Sequence, residues 1–196
     1  MQWQIPGIAA LQTWNALDGF WRAVTWLGNE EFYLLLIPLL YLGVSPRLGL
    51  RLGLLVLLGD ALNNIIKLAC GLPRPYWMNS TVRPLATETS YGFPSSHAQN
   101  AVSVWFFLAS VRPRARKWVV ASTLVLLISL SRVYLGVHFF TDILGGWLIG
   151  ALFLLAFLKW EPAARAKFET GKLSTQLFAA TALALGVILL GVLANS

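Results

Sequence analysis

Residues 131–142 read SRVYLGVHFFTD, and they lie between two apolar runs, roughly 118–134 and 140–158. A Ser-Arg pair, a histidine and an aspartate stand there in a chain of which only 12% is charged. Ionisable groups at membrane depth are costly unless they face one another, water or a ligand. The stretch therefore predicts a turn between two spanning helices whose polar groups serve a site.

Working outward, a span needs about 20 mostly apolar residues, fewer where polar groups are satisfied inside a bundle. Six candidates emerge, roughly 29–45, 52–70, 96–111, 118–134, 140–158 and 174–194. The second carries Asp60, Asn63, Asn64 and Lys67, which implies a bundle with a hydrophilic interior at one end. Residues 3–26 are apolar with Trp14, Trp21 and Trp26 but also hold Asp18 and Arg22. They predict an amphipathic helix lying in the interface, with the tryptophans at headgroup depth. The expected fold is all-α: an integral membrane bundle of about six transmembrane helices at 29–196, preceded by an N-terminal interfacial helix at 1–28. The start MQWQIPGIAALQTW has no basic segment before an apolar core, so no cleavable leader is expected.

Of 196 residues, 57% are hydrophobic, too many for an ordinary soluble domain, and the net charge is +7. That charge does not point to nucleic acid, because no basic stripe with interleaved aromatics occurs. Ten of the 15 basic residues instead fall in three alternate connections, at 45–51, 112–117 and 159–172. The positive-inside rule assigns these to the cytoplasm and leaves 71–95 and 131–139 on the extracytoplasmic face. A multi-pass protein of the plasma (inner) membrane is expected. Lys67, Arg74 and Arg132 are retained at the outer face, which suggests an anion site. The single cysteine, Cys70, excludes a disulfide framework within one chain.

Three stretches converge on that face. KLACGLPRP places Lys67 and Arg74 seven residues apart across a helix terminus. An arginine fork and a lysine point charge suit phosphate oxygens, although both could also be interfacial anchors. GFPSSH, 92–97, opens the third span. Free N–H groups and the hydroxyls of Ser95 and Ser96 would make an anion cradle there or, more plainly, an N-cap. His97 in the first turn would be an interfacial histidine or a proton donor. In the quoted stretch His138 and Asp142 are four apart, on one face if the fifth span has begun. A carboxylate on one ring nitrogen fixes the tautomer and orients the other nitrogen as nucleophile or base. Arg132 can reach the same site, or pair with Asp142. Two imidazoles and one carboxylate could bind a metal, but three neighbouring cations would repel it. No metal or other cofactor is expected.

Together the residues resemble the type 2 phosphatidic acid phosphatase superfamily, with its motifs K-x6-R-P, P-S-G-H and S-R-x5-H-x3-D. Lys67…Arg74-Pro75, Pro94-Ser95-Ser96-His97 and Ser131-Arg132…His138…Asp142 follow these in order, with one departure, Ser96 in place of Gly. Ser keeps the backbone N–H and adds a hydroxyl, so activity is expected to survive with altered rate or substrate fit. The resemblance implies a metal-independent lipid-phosphate phosphatase acting on phosphatidate, phosphatidylglycerophosphate or undecaprenyl diphosphate through a phosphohistidine. In that scheme His138 attacks phosphorus, Asp142 orients it, and His97 protonates the leaving oxygen. Lys67, Arg74, Arg132, Ser95 and Ser96 hold the phosphate. A phosphotransferase using the same phosphohistidine and a non-catalytic lipid-phosphate binder are the alternatives. The expected partners are the lipid substrate and the bilayer, with no nucleic acid.

Overall fold

The structure, a computed structural model, describes residues 1–194, apart from some side chains of the last helix. Its elements are α1 (Ile5–Leu11), α2 (Asp18–Trp26), α3 (Glu30–Gly43), α4 (Pro46–Cys70), α5 (Pro75–Met78), α6 (Ser96–Val111), α7 (Ala115–Tyr134), α8 (Phe140–Glu169) and α9 (Leu173–Ala194). Short 3-10 turns precede α1 and α2, and no strand occurs among the described residues. Each of the six apolar runs falls on one of the helices α3, α4, α6, α7, α8 and α9. Among the described residues, three stretches, Pro46–Met78, Ala115–Tyr134 and Phe140–Glu169, are long and apolar enough to cross a membrane.

Local chemistry sets the helix ends near the site. Pro46 stands in the first turn of α4, where its missing N–H costs nothing. Gly71, with φ of 58°, closes the helix in the left-handed region and donates its N–H to the Lys67 carbonyl at 2.9 Å. Lys67 thus sits in the last turn, and the chain turns sharply toward Arg74. Ser95 caps α6, its hydroxyl accepting from the Ala98 N–H at 3.4 Å.

The core is the contact of α6 with α7 and α8. Gly146 and Gly150, one turn apart on α8, let its backbone approach α6. A Cβ on either would lie 2.6 Å from a backbone oxygen, of Ser95 and of Gln99 respectively. This close approach sets the first turn of α6 beside the first turn of α8. The polar residues of α4 also face α6: Asn100 donates to Asp60 at 2.7 Å, Asn63 to Gln99 at 2.9 Å, and Gln99 to the Gly59 carbonyl at 2.7 Å. They tie two helices together, and their hydrogen bonds do not reach Lys67.

Two segments differ from their sequence expectation. The single helix expected over 3–26 is broken between α1 and α2. Gln12, buried at the break, donates to the carbonyls of Arg83 and Tyr134 at 2.9 Å each and accepts from the Arg83 N–H at 2.9 Å. Those tertiary bonds outweigh continuation of a helix, whose propensity is a weak preference. The connection expected at 159–172 is helical to Glu169, because α8 runs on for 30 residues. At 1.5 Å per residue that is about 45 Å, well beyond a hydrocarbon core of about 30 Å. Arg165 lies one turn from both Glu161 and Glu169, at 3.6 and 3.8 Å, which supports the extension.

Candidate active site

His138 lies in the connector between α7 and α8, two residues before α8 begins, and is buried with Asp142. Their pairing therefore does not arise from a shared helix face, as the four-residue spacing suggests. Asp142 is the third residue of α8, and its Oδ2 folds back to accept the Phe139 N–H at 2.9 Å, half of a capping box. The same oxygen lies 3.3 Å from His138 Nδ1. On the far side of the ring, Arg74 Nη1 is 3.3 Å from Nε2. Arginine can only donate, so Nε2 carries the lone pair and Nδ1 the proton given to Asp142. Burial, then Arg74, Lys67, Arg132 and His97, push the His138 pKa well below the ordinary imidazole range.

The cations are held largely by neutral oxygens. Lys67 Nζ donates to the Tyr91 carbonyl at 2.7 Å. Arg74 donates to the carbonyls of Ser90 and Val137 at 2.7 and 3.0 Å and to the Ser90 hydroxyl at 3.1 Å. Both side chains are almost fully buried, and these bonds fix their positions with no carboxylate at ion-pair distance among the described residues. Arg132 differs. Its Nη2 pairs with Glu88, its Nη1 donates to Thr25 Oγ1 at 2.8 Å, and its Nε is buried without a partner among the described residues. The Tyr76 hydroxyl fastens the backbone of Glu88, donating to its carbonyl at 2.9 Å and accepting its N–H at 3.2 Å.

The start of α6 completes the cluster. The Ser95 N–H donates to the Asp142 carbonyl at 3.1 Å, which joins the two helix starts directly. Ser96 is half-buried at the first position of α6. His97 is also half-buried, and its Nε2 lies 3.0 Å from Asn29 Oδ1. Lys67, Arg74, Arg132 and His97 all bear electrostatically on His138. The eight residues singled out from sequence thus occupy one end of the bundle. Sequence reading did not find Asn29 and Thr25. Asn29 carries only the signal of a helix start, an Asn before an apolar run, and Thr25 carries none.

A packed helical membrane bundle with three cations, two imidazoles and a carboxylate at one end offers a site whose chemistry suits an anion. The comparisons specify it further. The sequence profile described as the PAP2 superfamily matches residues 48–166. Phosphatidylglycerophosphatase B of Bacillus subtilis is 35% identical over 154 residues, covering 72% of this chain and 72% of that protein. Lipid phosphate phosphatase delta of Arabidopsis thaliana is 33% identical over 155 residues, 71% of this chain but only 37% of the plant protein's length. Among solved structures, a transmembrane PAP2-type phosphatidylglycerolphosphate phosphatase from Bacillus subtilis superposes with a TM-score of 0.66 at 28% identity, over 81% of this chain and 86% of that one. The chain belongs to the PAP2 superfamily and is a phosphatase.

Proposed function

We propose that this protein removes a phosphate from a membrane lipid through a phosphohistidine on His138, without a metal ion. The observation that carries the reading is the placement of His138 between Asp142, 3.3 Å from Nδ1, and Arg74, 3.3 Å from Nε2. With Nδ1–H held by Asp142, the Nε2 lone pair points at Arg74, a cation suited to a phosphate oxygen. Nε2 attacks phosphorus and the bond from phosphorus to the lipid oxygen breaks, with His97 giving that oxygen a proton. Water then attacks the phosphohistidine, His97 takes the water's proton, and His138 returns to its neutral form as phosphate leaves. Lys67, Arg74 and Arg132, with Ser95, Ser96 and the N–H groups opening α6, neutralise the charge of the transition state. Such preorganised charge is the main catalytic resource in phosphoryl transfer.

In this reading α3, α4, α6, α7, α8 and α9 all cross the inner membrane and residues 29–196 form the phosphatase domain. Residues 1–28 lie at the interface, and the site faces the extracytoplasmic side. The charge distribution supports that orientation: Arg47, Arg51 and the basic end of α8 lie at the end opposite the site, where Arg51 Nη2 meets Glu161 at 2.9 Å. The lipid enters sideways, chains in the bilayer and headgroup at the cations. Phosphatidylglycerophosphate is the first substrate to try, because a relative 35% identical over 72% of both chains is named for it. Phosphatidate and undecaprenyl diphosphate follow.

The test is phosphate release by purified protein in detergent with EDTA, over these three lipids, beside His138→Ala. Release unaffected by EDTA and reduced about 10³-fold or more in the variant is expected, since loss of a nucleophile removes most of the catalysis. A requirement for added Mg²⁺, or release that persists without His138, overturns the proposal. Transfer to an added alcohol in preference to water would make the enzyme a phosphotransferase.

A further inference from the structure

The turn between α2 and α3, residues 27–29, lies outside the stretch that matches the family profile, yet it touches His97 directly. Asn29 is the N-cap of α3, the position at which an Asn side chain ordinarily accepts an N–H of its own helix. Here it makes no such bond. Its Oδ1 instead sits 3.0 Å from His97 Nε2, across 68 residues of sequence. The backbone before it is pressed against the same ring: a Cβ on Gly28 would lie 2.9 Å from His97 Cδ2 and 2.9 Å from Ile128 Cγ2. A helix that gives up its local cap for a distant contact departs from local preference, and such departures concentrate at functional sites.

We infer that Asn29 is the positioning residue of His97, setting its tautomer and its ring plane for proton transfer to the leaving oxygen. The inference rests on the general-acid role proposed for His97. An amide oxygen accepts and cannot donate, so Nε2 keeps its hydrogen in both protonation states of the ring. The proton exchanged with substrate and with water is then the one on Nδ1, which has no partner among the described residues. In the forward step the imidazolium gives its Nδ1 proton to the lipid oxygen as the bond from that oxygen to phosphorus breaks, which leaves the neutral Nε2–H ring, and in the return step Nδ1 takes a proton from water to restore the imidazolium. Without Asn29 the ring can rotate, which misdirects the Nδ1 donor, and its neutral form can adopt the opposite tautomer, which removes the Nδ1 acceptor.

The consequence depends on the leaving group. An alkoxide leaving from a lipid phosphomonoester needs the proton, whereas p-nitrophenolate leaves without one. Asn29→Leu is therefore expected to lower kcat/KM for phosphatidate about 10–100-fold and for p-nitrophenyl phosphate less than about threefold, against the 10²–10⁴ that general acid–base catalysis supplies. Asn29→Asp, which keeps an acceptor oxygen, should recover most of the phosphatidate activity. Asn29→Leu combined with His97→Ala should be no slower than His97→Ala alone, because one acts through the other. Equal losses on both substrates, or additive losses in the double variant, overturn the inference. If His97→Ala itself fails to discriminate between the substrates, the general-acid role falls and the inference with it. If His97→Ala discriminates and Asn29→Leu does not, the inference alone fails. Should Asn29→Leu not fold, Asn29→Ala makes the same comparison.

Discussion

The two ends of the bundle both gather arginines, but they treat the charge in opposite ways. Away from the site, Arg51 faces Glu161 at 2.9 Å and lies over the Phe107 ring, and Arg165 sits 3.6 Å from the same carboxylate. Charge meets charge, and little field is left over. At the site, Lys67 and Arg74 are bound by carbonyl and hydroxyl oxygens of Ser90, Tyr91 and Val137. Those dipoles solvate a buried cation without neutralising it, as a buried charge requires. An arginine at one end is part of the scaffold, while at the other, in the proposed function, the scaffold holds an arginine ready for an anion.

The sharpest way to break this contrast is to remove one cation from each end. Arg74→Ala is expected to lower kcat by about 10²–10³-fold, the usual cost of deleting one preorganised donor to a transition-state anion. Arg51→Ala should leave kcat and KM unchanged and lower stability by about 1 kcal/mol or less, since the pair is partly exposed. Phosphate release and thermal unfolding of both variants in the same detergent decide it. Comparable kinetic losses at the two ends would end the distinction.

Arg132 is the exception at the site, because it is paired with Glu88. The electrostatic influence of Glu88 also reaches Lys67 and Arg74. A carboxylate held there by Tyr76 competes with an incoming phosphate for the same guanidinium. Glu88→Gln removes that competition, so inhibition by inorganic phosphate should tighten by about 3–10-fold, the size of one partly exposed ionic contact of about 1 kcal/mol. Weaker inhibition would mean that Glu88 holds Arg132 in place for the anion, and the two ends would then differ less.

Much of this candidate site was legible in sequence because charged and titratable groups are tied to residue type: Lys67, Arg74, His97, Arg132, His138 and Asp142 could be picked out at the ends of apolar runs. That the apolar runs form the helices α3, α4, α6, α7, α8 and α9 was legible too, since a long apolar run favours backbone bonded within its own segment. What holds the site was not. Asn29, Thr25 and the carbonyls of Ser90, Tyr91 and Val137 act through position alone, and a backbone oxygen has no letter in the sequence. The break at Gln12 was hidden likewise, because its partners, Arg83 and Tyr134, lie 71 and 122 residues away. Even the His138–Asp142 contact, expected from spacing, depends on a helix cap and not on a helix face.

The smallest effect tests the uncancelled field itself. If Lys67 and Arg74 keep their charge, His138 must feel it, and burial together with these cations lowers its pKa well below the ordinary value. A lowered imidazole pKa means that the neutral ring persists as pH falls through about 6.5, where a free histidine would be half protonated. The nucleophile therefore stays available in mild acid, and no acid limb near that pH belongs to His138. Stability has the same sign. Below about 6.5 the unfolded chain binds a proton that the folded one refuses, so the folded state loses ground as pH drops toward the lowered value. Ring ¹⁵N shifts of His138 at pH 6 should show the neutral Nδ1–H form, and Arg74→Ala should move its titration upward. A wild-type ring that titrates near 6.5 would mean that the charge at this end is cancelled after all, as it is at the other.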